Sequence, residues 1–279
     1  MDLIRPHGPA EFAKLATPLL LQNEVENGVM IGVADELARI GEAPSGAFWA
    51  VVMKGGDPVA AAMRTAAKLV VSTEAEKGAT ALIAADAMQH GARIVLGPAA
   101  EVGVFARAAT EATGIAWSEG RKNRIYVLTE VTPAPPTDGD WRFADASDVD
   151  TMVRWQQAFM QESGEPGESD DVLRGRVQRR IRDRAWYVWT DRGQVVSMAA
   201  GVGLTPHGIR VGAVYTAPEA RGRGYATALV AAVSQHMLDG GRSFVYLYTD
   251  LDNPTSNSIY QKIGYRPVAD PLELRAETR

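Results

Sequence analysis

The fold and function of this chain are decided by the segment Val214-Tyr215-Thr216-Ala217-Pro218-Glu219-Ala220-Arg221-Gly222-Arg223-Gly224-Tyr225-Ala226. Its pattern predicts a strand, then a tight glycine-rich turn, then the start of a helix. Such a turn directs several backbone N–H groups to one point, and the helix N-terminus adds partial positive charge there. Gly222 and Gly224 let an anion approach the backbone closely, while Arg221 and Arg223 add charge at the rim. The predicted ligand is therefore a phosphate or a pyrophosphate.

Two common nucleotide-binding motifs do not fit this turn. A Walker loop requires a Gly-Lys pair followed by Ser or Thr, and the chain contains no Gly-Lys pair. A dinucleotide fingerprint requires Gly or Ala at the sixth position counted from Gly222, where this chain has Thr227. The predicted strand Phe244–Thr249 also lacks an evident acidic partner for a ribose. Both motifs are excluded on these specifics.

The turn resembles the acyl-CoA signature of the GNAT acyltransferases. Arg221-x-x-Gly224-x-Ala226 is similar to their Arg/Gln-x-x-Gly-x-Gly/Ala pattern, and Val214-x-x-x-Pro218 is also similar to the family. A second segment with the same resemblance is Asn253-Pro254-Thr255-Ser256-Asn257-Ser258-Ile259-Tyr260-Gln261-Lys262-Ile263-Gly264-Tyr265. Two motifs at the family's mutual spacing make the resemblance specific.

The resemblance covers the chain from about Trp141 onward and implies a GNAT-like α/β (α+β) fold. In that fold a mixed, partly splayed sheet is flanked by helices. The implied reaction uses acetyl-CoA as acyl donor and transfers the acetyl group directly to an amine in a ternary complex. The acceptor is not identified by the resemblance. A non-catalytic acyl-CoA sensor and an interaction module are the alternative functions.

The resemblance also implies roles for individual residues. The turn would hold the CoA pyrophosphate through Arg221, Gly222, Arg223, Gly224, Tyr225 and Ala226. The preceding strand would pair with the pantetheine arm through Val214, Tyr215 and Thr216. Asn253 and Ser256 would contact the same arm, and Tyr260 would be the general acid for the departing thiolate. For three of these residues a purely structural role stays open: Arg223 could be a solvated charge, Asn253 a simple helix cap, and Tyr260 a packed aromatic side chain.

The general base is the point at which this sequence departs from part of the family. Some members carry a glutamate about six residues before the proline, and this chain has Gly212 there. The candidates are Glu162, His207 or a water chain, and Glu162 ranks first because His207 lies in a predicted exposed turn. Trp155 and Phe159 on the helix of Glu162 could line an acceptor pocket, although core packing is the favoured interpretation.

A Pro-rich segment divides the chain. Residues 133–139 have the composition of a linker between a domain at residues 1–132 and a domain at residues 140–279. The second half is expected to form, in order, a strand at 141–143, helices ending near 162 and 184, strands at 185–190, 195–204 and 209–216, a helix at 224–238, a strand at 244–249, a helix from 253 and a last strand from 265. The first half repeats strand, strand, strand, helix, strand, helix, at 48–54, 58–64, 68–72, 79–90, 93–96 and 99–112. This echo suggests a duplication.

The first half is therefore interpreted as a degenerate GNAT-like domain. Its matching turn, Ser72–Gly78, lacks the glycine signature and carries Glu74 and Glu76. Two carboxylates there would repel a pyrophosphate, so we expect this half to bind no CoA. It would support the fold or shape the acceptor site.

Composition limits the other functions. The net charge of -5 and pI of about 5.5 argue against nucleic-acid binding, so the basic run from Arg174 to Arg184 is interpreted as a solvated helix face. The absence of cysteine excludes disulfides and a cysteine nucleophile, and the four histidines lack ligand spacing, so no metal is expected. No apolar run has the length of a membrane span or a signal peptide, which favours a soluble cytoplasmic protein. A homodimer stays open.

Overall fold

The computed structural model describes residues 1–164 and 167–277. In chain order the first elements are β1 (Asp2–Ile4), α1 (Pro9–Leu20), α2 (Gly28–Ile40), β2 (Phe48–Lys54), β3 (Asp57–Arg64), β4 (Leu69–Val71), α3 (Ala79–Gln89), β5 (Ile94–Gly97), α4 (Ala99–Thr113), β6 (Trp117–Glu119) and β7 (Asn123–Leu128). They are followed by β8 (Asp140–Phe143), α5 (Val149–Glu162), α6 (Asp170–Arg182), β9 (Trp186–Asp191), β10 (Gln194–Val202), β11 (Gly208–Thr216), α7 (Tyr225–Asp239), β12 (Phe244–Asp250), α8 (Pro254–Lys262), β13 (Arg266–Ala269) and β14 (Leu272–Ala276). The predicted elements are confirmed, with ends that shift by a residue or two at most positions.

These elements form two seven-stranded mixed sheets with helices on their faces. The first has the strand order β1-β2-β3-β4-β5-β14-β6, and the second has the order β13-β7-β12-β11-β10-β9-β8. In both halves the chain runs strand, two helices, three strands, helix, strand, helix. Each sheet is antiparallel except for one parallel pair, β4 with β5 in the first and β11 with β12 in the second. The expected GNAT-like fold and the internal repeat are thus both present.

The two halves exchange one strand in each direction. β7, which precedes the linker, pairs with β12 and β13 of the second sheet. β14, at the other end of the chain, pairs with β5 and β6 of the first sheet. The proposed division at residues 133–139 therefore does not separate the sheets, although that segment contains no helix or strand. Sequence patterns predict a strand but not which edge it joins, because the edge is chosen by contacts distant in the sequence.

Helices cover both faces of the second sheet and position the functional elements. α7 packs on one face through Leu229, Val230 and Val233, which are fully buried. α5 and α6 cover the other face, where Met152 and Leu173 are fully buried. Each such side chain stabilises the fold by about 1.5–3 kcal/mol relative to an exposed one. The sheet is therefore a rigid support for the loops at the ends of β11 and β12.

The first domain packs tightly on the second through one face of α2. A Cβ atom on Gly32 would lie 2.4 Å from the Cα of Gly203, and one on Gly28 would lie 2.5 Å from the ring of Tyr246. Only glycine permits this approach of helix to sheet. One turn further along α2, Glu36 faces Arg180 of α6. The close contact makes the two domains walls of a shared cavity.

Candidate active site

β11 and β12 separate at the centre of the second sheet. Their parallel pairing is confined to Gly208–Arg210 with Phe244–Tyr246, although both strands continue beyond it. β11 also has a bulge against β10, and within the bulge Ala213 adopts a left-handed φ of 48°. A left-handed alanine costs about 1–2 kcal/mol, and such strained residues cluster at functional sites. The result is an open slot between the two strands, as the family resemblance implied.

The glycine-rich turn lies at the end of this slot. Gly222 and Gly224 have φ of 78° and 84°, a conformation that favours glycine, and residues 221–224 are exposed. Gly224 is the N-cap of α7, and no side chain caps that helix. Among the described residues, no side chain accepts a hydrogen bond from the first N–H groups of α7, those of Tyr225 and Ala226. This geometry suits an anion at the helix N-terminus.

Glu162 of α5 is paired with Arg221 beside the slot. Arg221 Nη2 donates to both carboxylate oxygens at 2.9 and 3.0 Å, and Arg221 Nε donates to the Thr216 carbonyl at 3.1 Å. The Tyr215 hydroxyl donates to Glu162 Oε1 at 3.3 Å, and the Arg221 guanidinium lies 5.2 Å from the centre of the Tyr215 ring. The hydrogen bond to Glu162 raises the pKa of Arg221, while burial, followed by the Glu162 charge, raises the pKa of Tyr215. The structure thus brings together four predicted site residues, namely Glu162, Tyr215, Thr216 and Arg221. Val214 is next to Tyr215 on β11.

Tyr260 lies on α8 and belongs to the buried core cluster that includes α7, among other tyrosines. Its ring is 6.3 Å from that of Tyr126 and 5.9 Å from that of Tyr265, and burial raises its pKa to about 12. Tyr126 and Tyr265 use their hydroxyls in hydrogen bonds to Asn257 and Ser234. The Tyr260 hydroxyl makes none with the described residues. The Tyr260 hydroxyl therefore keeps its proton at physiological pH, and none of the described residues accepts a hydrogen bond from it.

Asn253 and Ser256 form the cap of α8. Asn253 Oδ1 accepts a hydrogen bond from the Ser256 backbone N–H at 3.0 Å. The capping interpretation of Asn253 is thus confirmed, and the cap occupies its side-chain oxygen. Any contact of these two residues with a pantetheine arm has to use their remaining polar groups.

His207 lies at the opposite end of β11 from the turn. Its Nδ1 atom is 2.7 Å from Glu24 Oε2 of the first domain, and its backbone N–H donates to Glu24 Oε1. Since β11 runs from Gly208 to Thr216 at about 3.3 Å per residue, His207 is more than ~20 Å from the turn. Its place in a contact between domains, rather than at the slot, argues against a role as general base.

A cavity of about 820 Å³ opens beside the bulge of β11. The second domain lines it with Gln156, Phe159, Met160, Arg180, Ala200, Val202, Arg210, Val211, Gly212, Ala213, Tyr248 and Thr249. The first domain contributes Glu26, Val29, Met63, Lys68, Val70, Val71 and Leu96, among others. A Cβ atom on Gly212 would contact only Val202, at 3.7 Å, so the position where some family members carry a glutamate is open.

Comparison with known proteins identifies the second half of the chain. Residues 149–265 match the profile of the acetyltransferase (GNAT) family. They form a GNAT acetyltransferase domain. The matched residues include β11, the glycine-rich turn and β12, which build the slot, and also α8 with Tyr260.

Segments of the chain are also similar to two mycothiol acetyltransferases. One, from Paenarthrobacter aurescens, is 41% identical over 58 residues, or 20% of this chain and 18% of the relative. The other, from Nocardiopsis dassonvillei, is 40% identical over 70 residues, or 24% of this chain and 21% of the relative. The similarity thus spans about a fifth of the length of these curated relatives.

Solved structures extend the GNAT fold to the whole chain. A GNAT-family acetyltransferase from Colwellia psychrerythraea has a TM-score of 0.64 at 13% identity and covers 100% of both chains. A GCN5-related N-acetyltransferase from Sphaerobacter thermophilus has a TM-score of 0.64 at 20% identity, covering 99% of this chain and 95% of its own. A tandem GNAT protein from the clavulanic acid biosynthesis pathway has a TM-score of 0.60 at 15% identity, covering 99% and 98%. At these identities the likeness shows the fold, which is the two-domain GNAT arrangement.

The first domain fills the turn equivalent to that of the GNAT domain with its own carboxylate. Glu74 accepts hydrogen bonds from the backbone N–H groups of Gly78, at 3.2 Å, and Thr80, at 2.9 Å, at the start of α3. Gly78 has a φ of 86°, like Gly224 in the GNAT domain. Glu76 pairs instead with Lys54 at 2.8 Å. An internal anion thus lies where a phosphate would bind, which supports the prediction that this half binds no CoA.

Two features of the GNAT domain were missed in the sequence. β7 ties α8 to the sheet, because the Tyr126 hydroxyl donates to Asn257 Oδ1 and accepts from Gln261 Nε2. Residues 123–128 alternate between polar and apolar side chains, as a strand does. Because this segment precedes the predicted linker, it was assigned to the first domain. The basic run is also more than a solvated face, since Arg180 of α6 is largely buried and lines the cavity.

The described ranges give no sign of a metal centre or a membrane span. Residues 1–164 and 167–277 contain no group of three or more His, Asp or Glu side chains arranged to hold a metal ion. Within the same ranges no helix combines the length and the apolar character that crossing a bilayer requires.

Proposed function

We propose that this protein is an acetyl-CoA-dependent N-acetyltransferase that acetylates the amine of a small acceptor. The proposal rests on one observation above all: the slot between β11 and β12 ends at an uncapped, glycine-rich helix N-terminus. A slot of this kind suits an extended, amide-rich arm, and the turn suits the pyrophosphate that precedes that arm in CoA. The matched GNAT profile supports the same assignment.

Donor binding is assigned to the turn and to β11. The backbone N–H groups from Arg221 to Ala226 hold the pyrophosphate, and the arm pairs with the unpaired edge of residues 214–216. Arg221 now binds Glu162, and the half-exposed ion pair is worth at most about 1 kcal/mol. Arrival of a pyrophosphate can therefore draw Arg221 away from Glu162 at little cost.

The transfer step requires three proton and charge movements. The neutral amine nitrogen attacks the thioester carbonyl carbon, forming the C–N bond and placing negative charge on the carbonyl oxygen. A backbone N–H of the bulged strand near Ala213 stabilises that charge. The C–S bond then breaks, Tyr260 donates its proton to the departing sulfur, and the attacking nitrogen loses its proton to Glu162 or to water. The products are an acetamide and free CoA.

The proposed function is tested by calorimetric titration with acetyl-CoA, followed by release of free thiol in the presence of a panel of amines. We expect binding, and thiol release that depends on an amine and yields a product heavier by one acetyl group. Tight binding with no amine-dependent thiol release would favour the sensor alternative. A chain that does not bind acetyl-CoA would be better explained as an interaction module.

Replacement of Glu162 with glutamine tests the assignment of the general base. If Glu162 accepts the amine proton, E162Q lowers kcat/KM by about 10²-fold. Affinity for acetyl-CoA should hold or rise, because Arg221 is released from its ion pair. Glu219, an acid in the exposed turn before Arg221, gives the matched control E219Q, with an unchanged kcat/KM. An unaltered kcat/KM in E162Q would assign the proton to water instead.

A further inference from the structure

We propose that the acceptor of this reaction is a small amine that also carries a carboxylate, and that Arg210 and Arg180 bind that carboxylate. The inference rests on the proposed function, because it takes the amine of the ligand to be the group that is acetylated. The anion site itself is argued from the cavity between the domains and can be tested without turnover.

Arg210 lies where an acceptor has to pass. It is on β11 two residues before Gly212, so the two residues share one face of the strand. Both line the cavity, as does Arg180 of α6. The cavity reaches the bulge at Ala213, next to which the reacting thioester is placed in the proposed mechanism. A molecule bound to Arg210 is therefore held a few residues from the site of transfer.

The guanidinium of Arg210 has no partner among the residues that the structure describes. Its Nε atom is buried and makes no hydrogen bond with residues 1–164 and 167–277, while the residue as a whole is partly exposed. Buried polar groups are nearly always hydrogen-bonded, and an unpaired one destabilises the fold. Arg210 lines the cavity, and its buried Nε has no acceptor among the described residues, which points to a ligand that supplies the acceptor atoms.

The surrounding charges leave the cluster positive. Arg180 Nη2 reaches its partner Glu36 only at 3.5 Å, and Arg179 shares that carboxylate at 3.9 Å. Arg176 pairs with Glu168 at 2.7 Å. Burial lowers the pKa of Arg180, and the neighbouring charges of Arg176 and Arg210 lower it further, with Glu36 opposing them. Among the described residues, four guanidinium groups thus share two carboxylates, an excess that an anionic ligand would neutralise.

The other charged residues that line the cavity are largely neutralised locally. Their ion pairs are Lys68 with Glu273 at 2.7 Å, Arg121 with Asp250 at 2.7 Å, and Asp270 with Arg124 at 2.6 Å. Glu26 also lines the cavity and forms no ion pair with the described residues. Among the described residues that line the cavity, Arg210 and Glu26 are therefore the charged side chains without an ion-pair partner.

The shape of the site limits the ligand to small molecules. A volume of about 820 Å³ lies within the ~300–1,000 Å³ typical of small-ligand sites. Planar guanidinium groups bind carboxylates through two parallel hydrogen bonds, which favours this anion. Phe159, Met160 and Met63 make part of the wall apolar, so a short hydrocarbon segment between amine and carboxylate fits. The expected acceptors are amino acids and related amino carboxylic acids.

The first experiment measures the anion site alone. The probe is N-acetylglycine, which represents an acetylated product that carries a carboxylate. We expect it to raise the melting temperature of the wild-type protein, and we expect neutral N-acetylglycinamide at equal ionic strength to leave that temperature unchanged. In R210M the response to N-acetylglycine should disappear. Without ligand, R210M should melt no lower than wild type, because it removes an unpaired buried donor rather than a structural contact. Equal responses to both probes, or a response that survives in R210M, would overturn the proposal.

The second experiment compares amino acids with their carboxamides as acceptors. Wild type is expected to prefer each acid in kcat/KM, and R210M should lower kcat/KM for the acids by about 10- to 100-fold while changing it less than about threefold for the amides. R210K should recover only part of the loss, because an ammonium binds a carboxylate through a single point. R174M, which alters a guanidinium of α6 that pairs with Asp150 and does not line the cavity, is the control. Equal use of acids and amides by the wild type would contradict the proposal, whereas absence of acetyl-CoA binding would contradict only the proposed function.

Discussion

Replacement of Tyr260 with phenylalanine is expected to lower kcat by about 10²- to 10³-fold and to leave the dissociation constant of acetyl-CoA unchanged. The hydroxyl has no hydrogen bond to the described residues, and burial raises its pKa to about 12. It therefore carries its proton throughout the physiological range and can give it to a thiolate that forms beside it. Removing the proton donor slows only the step in which the C–S bond breaks, so donor binding is spared. Steady-state kinetics and calorimetry separate the two effects.

Tyr265 provides the matched control for this substitution. Its ring lies 5.9 Å from that of Tyr260, but its hydroxyl is hydrogen-bonded to Ser234 in the core. Y265F should lower the free energy of unfolding by about 1 kcal/mol and keep kcat. Because Tyr260 titrates near 12, loss of its proton cannot explain any fall in the wild-type rate below about pH 10. A wild-type kcat in Y260F would make Tyr260 a packed aromatic and leave the sulfur to be protonated by water.

Replacement of Gly224 with glutamate is expected to weaken acetyl-CoA binding by at least about 100-fold. Gly224 has a φ of 84° and forms the N-cap of α7, so the new carboxylate enters the space assigned to the pyrophosphate. Charge repulsion and competition for the same N–H groups act together. Glu74 already occupies the corresponding position at the start of α3, hydrogen-bonded to Gly78 and Thr80. Calorimetric titration with acetyl-CoA measures the loss directly.

Gly78 allows an almost exact control in the same molecule. Its φ is 86°, and it is the N-cap of α3 in the first domain. G78E introduces the same strain, about 1–2 kcal/mol, and the same charge, but should leave acetyl-CoA affinity as it is. G224A adds the strain of a side chain without the charge and should lose much less affinity than G224E. Equal losses of affinity in G78E and G224E would mean that the turn after β11 is not the pyrophosphate site.

The parts of this structure that sequence predicts are those governed by local patterns. The turn at Gly222 and Gly224 was predictable because positive φ and a helix start both follow from neighbouring residues. The separation of β11 from β12 followed from the family resemblance. By contrast, Glu162 and Arg221 are far apart in sequence, and nothing local indicates that they pair. Arg180 was misjudged for a related reason: the wall that buries it comes from α2 of the other domain.

The exchanged strands set limits on the order in which the chain can fold. β14 completes the first sheet between β5 and β6, yet it is synthesised after every other element of both sheets. The ~150 residues between Glu119 and Leu272 take on the order of 10 s to emerge from the ribosome at roughly 5–20 residues per second. During that time the edge of β5 is uncovered and can pair with another nascent chain. The first sheet therefore cannot be completed until β14 has been synthesised, whereas every strand of the second sheet is available before that point.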